Sequence, residues 1–299
     1  MSRKPVLAPL LLCAGLWFTT PLAAAPVLLG AEDSPAARAF SQALAERRPQ
    51  DQIRFLALDK LSEARPLSAD TRLVLFGARA LDWYLANDDV PPTLLLRISR
   101  VQAQQRLGNT RPSGLSLLWS DPPPARQLHL ARLLLPQATR IGVLYGQDSQ
   151  FLLEELQQAA APLGMTIVQQ PWSDTRDNRP LLSLLKGSDL LLGLEDPELY
   201  NPQTAKGLLL TSYAQERALL GPSAAFVKAG SLASSYSDQE DWLATLERLL
   251  DQPPQAWPRT LYPHHFKVLG NRQVARALGL PLADDTDLAR LLGAGEQTP

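Results

Sequence analysis

The sequence predicts an α/β protein of two lobes, each built on a parallel sheet covered by helices, with a ligand cleft between them. Three observations carry that expectation. Short apolar runs such as VLLG, RLVLF and DLLLGL alternate with segments whose apolar residues recur at helical spacing. The alternation breaks at a proline-rich joint, SDPPPARQ, and then restarts. A second proline cluster, DQPPQAWP, interrupts the chain again near its end.

The chain opens with Arg3 and Lys4, an apolar run from Val6 to Phe18, and then TTPLAAA. This is the layout of a secretory signal peptide, with cleavage after Ala24 or Ala25. The run is shorter than the ~20 apolar residues a membrane span needs. Cys13, the one cysteine, lies inside that segment, so the exported chain is expected to lack disulfides and thiol chemistry. Loss of Arg3 and Lys4 takes the formal charge from −1 to −3. A chain of that charge has no basic footprint for nucleic acid.

Val27–Gly30 reads as the first strand, followed by a helix capped by Ser34, started by Pro35 and facing inward through Ala37, Phe40 and Leu44. Strands follow at Ile53–Leu56, Leu73–Phe76, Thr93–Ile98 and Leu115–Leu118, with a helix near Ala78–Ala86. After the first joint a helix carries Leu130, Ala131 and Leu134 inward. Strand Ile141–Tyr145, a helix with Leu152, Leu156, Ala159 and Leu163 on one face, and strand Met165–Val168 come next. A helix near Pro180–Leu185, the buried strand Asp189–Leu194, a helix over about Thr204–Gln215 and strand Ala218–Gly221 complete the second half. Ser231–Tyr236 reads as extended. Ser237 and Glu240 form an S-x-x-E box before a helix with Trp242, Leu243, Leu246 and Leu250 on one side. Phe266–Leu269 is extended, Asn271 caps a helix through Val274 and Leu278, and the segment beyond Leu282 reads as a peripheral tail.

In two Rossmann-like lobes the ligand lies outside the carboxyl ends of the strands, so the loops after strands are the candidate site. In the first lobe these are AEDS, with Asp33 and Ser34, and GAR, with Gly77 and Ala78, together with the residues following Leu96. In the second they are GQDS, with Asp148 and Ser149, SDT at Ser173–Thr175, EDPELYN, with Glu195 and Asp196, and GPS, with Ser223. Their carboxylates, hydroxyls and free helix amides suit a small polar ligand. Asp148 or Ser149 can also simply cap the helix at Gln150. Trp119, Tyr145, Trp172, Tyr200 and Tyr236 flank these loops, offering either lobe packing or stacking against a ring.

Catalytic and metal-binding patterns are absent from the sequence. GQDSQ is neither a G-x-G-x-x-G turn nor a P-loop, and no G-x-S-x-G elbow or H-E-x-x-H occurs. His129 falls in a leucine-rich helix, while His264 and His265 are adjacent and on an extended segment would point opposite ways. The acidic run of Glu195, Asp196 and Glu198 is one loop and not a converging ligand set. No cofactor, metal or catalytic residue is therefore expected.

Two stretches carry a family resemblance: LLLPQATRIGVLYGQDSQFLLEELQQAAAPLGM and FKVLGNRQVARALGLPL. They resemble the helix–strand–loop–helix passage and the closing strand–Asn–helix of periplasmic substrate-binding proteins of ABC transporters, in the subgroup related to tryptophan- and tyrosine-binding proteins. The resemblance spans about Val27 to Leu282 and implies a type I periplasmic binding protein architecture crossed three times by the chain, near Leu118–Pro122, Ser234–Ser237 and Trp257–Pro263. It implies residues 1–25 as signal peptide, 26–118 with 238–256 as the first lobe, 119–237 with 257–285 as the second, and 286–299 as tail. It also implies Asp33, Ser34, Gly77, Ala78, Asp148, Ser149, Glu195 and Asp196 at the ligand; Ser223 and Tyr236 join them from their places beside the loops. The chain departs from the family where GAEDSP replaces G-x-D-N-P, where Gln147 stands near an expected Asn, and where YSD replaces G-x-D.

The expected function is capture of a small polar or aromatic solute, an amino acid or aromatic metabolite, in the periplasm and its delivery to an inner-membrane ABC permease. Two alternatives are a periplasmic sensing module that signals to a membrane receptor, and an enzyme on the same two-lobed frame.

Overall fold

The computed structural model describes residues 26–296; the expected signal segment lies outside the described residues. The first half runs β1 (Val27–Ala31), α1 (Pro35–Arg47), β2 (Ile53–Ala57), α2 (Leu58–Glu63), β3 (Arg72–Phe76), α3 (Ala78–Leu85), β4 (Thr93–Ile98), α4 (Arg100–Leu107) and β5 (Leu115–Trp119). The second continues with α5 (Pro124–Leu134), β6 (Arg140–Tyr145), α6 (Leu153–Ala160), β7 (Thr166–Pro171), α7 (Arg179–Gly187), β8 (Leu190–Leu192), α8 (Pro202–Ala214), β9 (Ala218–Leu220), α9 (Ala224–Ala229) and β10 (Ala233–Tyr236). The chain ends with α10 (Gln239–Leu250), β11 (Thr260–Leu261), β12 (Lys267–Gly270), α11 (Arg272–Ala277) and α12 (Asp285–Glu296).

Two separate six-stranded sheets result, in the orders β11-β5-β4-β3-β1-β2 and β12-β10-β9-β8-β6-β7. Every pairing is parallel except that of β12 with β10. Parallel strands covered on both faces must be apolar throughout. Leu73, Val74 and Leu75 in β3, and Leu94, Leu95 and Leu96 in β4, are accordingly fully buried. One face of the first sheet packs on α1 and α10 through Phe40, Leu44, Trp242 and Leu246. The other packs on α2, α3 and α4 through Leu61, Leu81 and Leu107. The second sheet has its own core, built around Leu144, Leu156, Leu184 and Leu208.

The chain passes between the sheets three times, at β5–α5, β10–α10 and β11–β12. The first passage leaves the carboxyl end of β5 and enters the start of α5, which runs back to the start of β6. The start of α5 therefore lies at the carboxyl edge of the second sheet. By the same logic β10–α10 joins the carboxyl edge of the second sheet to that of the first. Both loop-bearing edges face the space between the lobes.

Several local expectations change. Helices α2, α4 and α9 stand where the sequence reading placed none; α2 and α9 have only six residues each, too few for periodicity to register. The α10 cap is Asp238, whose carboxylate accepts from the amides of Glu240 and Asp241, with Asp241 completing the box in place of Ser237 and Glu240. Residues beyond Leu282 are no peripheral tail: α12 buries Leu288 and Leu292, one turn apart, in the second core, and Glu296 pairs with buried Arg126 at 2.5 Å. His264 and His265 do not point apart; their exposed rings meet edge to face at 4.9 Å, because the segment bends there instead of extending.

Candidate functional site

At the carboxyl edge of the first sheet, Ser34 caps α1 by accepting the amide of Ala37 at 3.2 Å. Asp33 is held by a two-pronged pair with Arg38, at 2.6 and 2.5 Å, which keeps its carboxyl below the usual range. Glu32 bridges to Arg79 at 3.2 Å, joining the loops after β1 and β3. Gly77 begins α3 at a φ of 79°, where a side chain is strained, and no atom lies within 4 Å of where a Cβ would stand. Backbone thus lies open at that point, with half-buried Ala78 beside it.

In the second lobe Ser149 is fully buried and does not cap the helix turn at Gln150. Its hydroxyl accepts from the Gly146 amide at 2.9 Å and donates to the buried carboxylate of Asp196 at 2.6 Å. Asp196 also accepts the amide of Glu198 at 3.0 Å. These bonds tie the loops after β6 and β8 together and occupy the oxygens of both side chains. Asp148 turns toward the other lobe and accepts from Gln105 of α4 at 2.8 Å. Ser223 begins α9 with no side-chain cap bond and is half-buried, as is Tyr236 at the end of β10.

Glu195, next to Asp196, accepts no hydrogen bond among the described residues. Burial pushes its carboxyl up to about 8, with the nearby charge of Asp121 adding to the effect. Asp121, on the first passage, accepts the Arg100 amide at 2.9 Å, and its burial raises it to about 6. The two carboxyls line one narrow cavity, of about 30 Å³, with Pro122, Gln127, Leu152 and Pro222. Burial favours the protonated form of both acids; Arg100 beside Asp121 limits the rise there, while no cation offsets it at Glu195.

A larger cavity of about 310 Å³ opens at the carboxyl edge of the first sheet, lined by Phe40, Arg97, Ser120, Ser237, Asp238 and Trp242. A third, of about 440 Å³, spans the lobes between α4 and α6, with Arg100, Trp119, Phe151, Glu155 and Tyr262 on its walls. There Arg100 donates to Glu155 at 2.5 Å and to the Tyr262 hydroxyl at 3.2 Å. Val101 of α4 is buried in the core of the second lobe.

The structure therefore brings Ser149 and Asp196 into direct contact, and places Asp33 and Ser34 near Gly77 and Ala78 on one edge. Of the flanking aromatics, Trp172 and Tyr200 are buried in the second core. Sequence reasoning missed Asp121 and Arg100, and reached Arg97 only as one of the residues following Leu96. The signal for Asp121 was an acid within a proline joint, and for Arg97 a charge inside an apolar strand. Arg100 had no signal. Among the described residues no three His, Cys, Asp or Glu side chains are grouped to hold a metal ion.

No family model and no curated protein matches the chain. Solved structures do match. A conserved domain protein from Vibrio cholerae is 15% identical over 89% of this chain and 98% of its own, with a TM-score of 0.61. The ligand-free, open structure of a substrate binding protein with adhesive properties from Clostridium difficile is 14% identical over 87% and 96%, with a TM-score of 0.66. An ABC domain from Streptococcus pneumonia in complex with L-Trp is 17% identical over 89% and 98%, with a TM-score of 0.60. The fold is that of a type I periplasmic binding protein. In that architecture the apposed carboxyl edges form the ligand cleft, and the three passages between lobes are its hinge.

Proposed function

We propose that the protein is a periplasmic solute-binding protein, exported by its N-terminal segment, that closes its lobes over a small polar or aromatic ligand and hands it to an inner-membrane ABC permease. The observation that carries this reading is the apposition of two carboxyl edges joined only by three short passages. Such a frame bends at the passages and shuts over a guest. The L-Trp bound by the Streptococcus chain supports a guest of that size and kind.

Within this reading the first lobe offers Ser34, Asp33 and the open backbone at Gly77 and Ala78. The second offers Glu195, Ser223 and Tyr236, with Asp148 at the rim and the Ser149–Asp196 bond fixing the loops that carry them. Protonated Glu195 can donate to a ligand oxygen, and ionised Glu195 can accept from an ammonium group.

A thermal-shift screen of amino acids, aromatic metabolites, nucleosides and small organic acids tests the proposal. A true ligand raises Tm with concentration because only the folded cleft binds it, and small-angle scattering then reports a smaller radius of gyration. A library that leaves both Tm and scattering unchanged refutes solute capture.

A further inference from the structure

Arg97 breaks the pattern of its strand. Leu94 and Leu96 of β4 face the α1–α10 core, whereas Leu95 and Ile98 face the core on the other side. Simple alternation would drive Arg97 into that second core beside Leu95. Instead the register with β5 shifts between Leu96, opposite Leu118, and Ile98, opposite Trp119. Arg97 is the extra residue of a bulge, with φ at 54°, a conformation that L residues other than Gly, Asn and Asp seldom adopt. The bulge lets Ile98 take the buried place and turns the Arg97 side chain out of the carboxyl edge. A strained residue held there, in a central strand of the sheet, is a signature of a functional position.

The turned-out guanidinium has no partner. Around it the arginines of the same lobe edge are committed: Arg38 to Asp33, Arg79 to Glu32, Arg100 to Glu155. The exposed Arg97 side chain makes no hydrogen bond, ion pair or ring contact among the described residues. It lines the cavity of about 310 Å³ with Phe40, Trp242, Ser120 and Ser237. The acid in that cavity, Asp238, is already answered: one oxygen pairs with Lys267 at 2.8 Å and the other accepts the Glu240 amide at 3.0 Å. Phe40 and Trp242 are buried ring residues on one wall, with the Trp242 indole N–H spent on the Ser237 carbonyl at 3.1 Å, so they offer the cavity an apolar surface.

Resting on the solute-capture reading, we propose that Arg97 is the specificity-determining residue of the cleft and selects a small organic anion, a carboxylate or phosphate ester carried on a flat apolar body. The guanidinium fork grips the anionic head through paired N–H donors, and the apolar wall takes the body. Ser120 lies within the same lining as a further donor.

The probes are benzoate, phenylacetate and phenyl phosphate, each compared by calorimetry with a neutral counterpart: benzamide, phenylacetamide and phenol. Wild-type protein binds the anions and discriminates against the neutral forms. Arg97→Gln weakens anion binding roughly ten- to a hundredfold, as loss of a charged hydrogen-bond pair implies, and leaves neutral-probe binding unmoved. Arg97→Lys retains part of the affinity. Carboxylate against phosphate affinity distinguishes the two head groups. Arg97→Gly relieves the left-handed backbone and melts no lower than wild type, separating ligand loss from folding. Equal anion affinity in wild type and Arg97→Gln, equal binding of anions and neutral counterparts, or no anion binding at all overturns the inference. If neutral solutes from the wider screen bind and close the lobes independently of Arg97, solute capture stands and this inference falls; if nothing in that screen binds, both fall.

Discussion

Replacing Glu195 by Gln should make the protein more stable at alkaline pH and leave it nearly unchanged in acid. Burial raises the Glu195 carboxyl from 4.5 to about 8 in the folded chain. Unfolding returns it to water and to its ordinary value. Between pH 4.5 and 8 the folded state holds a proton that the unfolded state has released. Stability therefore falls as pH rises through that window, is unaffected by this group below it, and levels off above it. At about 1.4 kcal/mol for each tenfold change, the full swing is about 5 kcal/mol. The side chain is half-buried, so water recovers part of this and roughly 2–4 kcal/mol remains. Asp121, raised from 3.8 to about 6, pulls in the same direction over the lower part of the range, and persists in the variant.

Glutamine keeps the shape of the protonated acid and cannot ionise. Urea unfolding of wild type and Glu195→Gln at pH 5, 6.5 and 8.5 reads the difference directly, with the midpoint shift converted through m. The two proteins should nearly coincide at pH 5 and separate by roughly 2–4 kcal/mol at pH 8.5, the variant being the more stable. A gap of the same size at every pH would show that Glu195 is ionised in the fold throughout, and would refute the account of a carboxyl held protonated by burial beside Asp121.

Two other substitutions probe the frame around that cavity. Ser149→Ala strips a bond from the buried Asp196 carboxylate and leaves the Gly146 amide without its acceptor, and should cost ~2–4 kcal/mol in urea unfolding; a cost under about 0.5 kcal/mol would mean water replaces the hydroxyl. Arg100→Met removes the bonds to Glu155 and Tyr262 that link α4 to the second lobe and the hinge, and should lower stability by ~1–3 kcal/mol while enlarging the radius of gyration of the unliganded protein. An unchanged scattering profile would show that Val101 packing alone sets the lobe contact.

Much of the fold was legible because its signals are local and repeated. Buried parallel strands read as DLLLGL or RLVLF, and caps such as Ser34 and Asn271 mark helix starts in the sequence and form the bonds expected of them. What was missed lay where a local signal is weak or competes with another. The α10 start offered Ser237 and Asp238 side by side, and the charged one won. The α12 helix carries Leu288 and Leu292 on a short acidic segment, and its packing depends on β12 and α5, far away in sequence.

The site was less legible for a different reason. Sequence reading ranks residues by the chemistry they own, and the loops after strands are full of acids and hydroxyls. Folding then spends most of those groups on one another: Asp33 on Arg38, Ser149 on Asp196, Asp148 on Gln105. A ligand competes only for what is left over. Glu195 in the second lobe accepts no hydrogen bond, and the Arg97 side chain in the first has no partner among the described residues. An exposed charge is hydrated at little cost, but a left-handed backbone at an arginine is strained and persists where the surrounding structure holds it for a use. Arg97 is exposed, so its charge is free for a guest, and its cost lies in the left-handed backbone at a φ of 54°. The best pointer to it was the one charge inside TLLLRI, a residue that fits no core and no ordinary strand face.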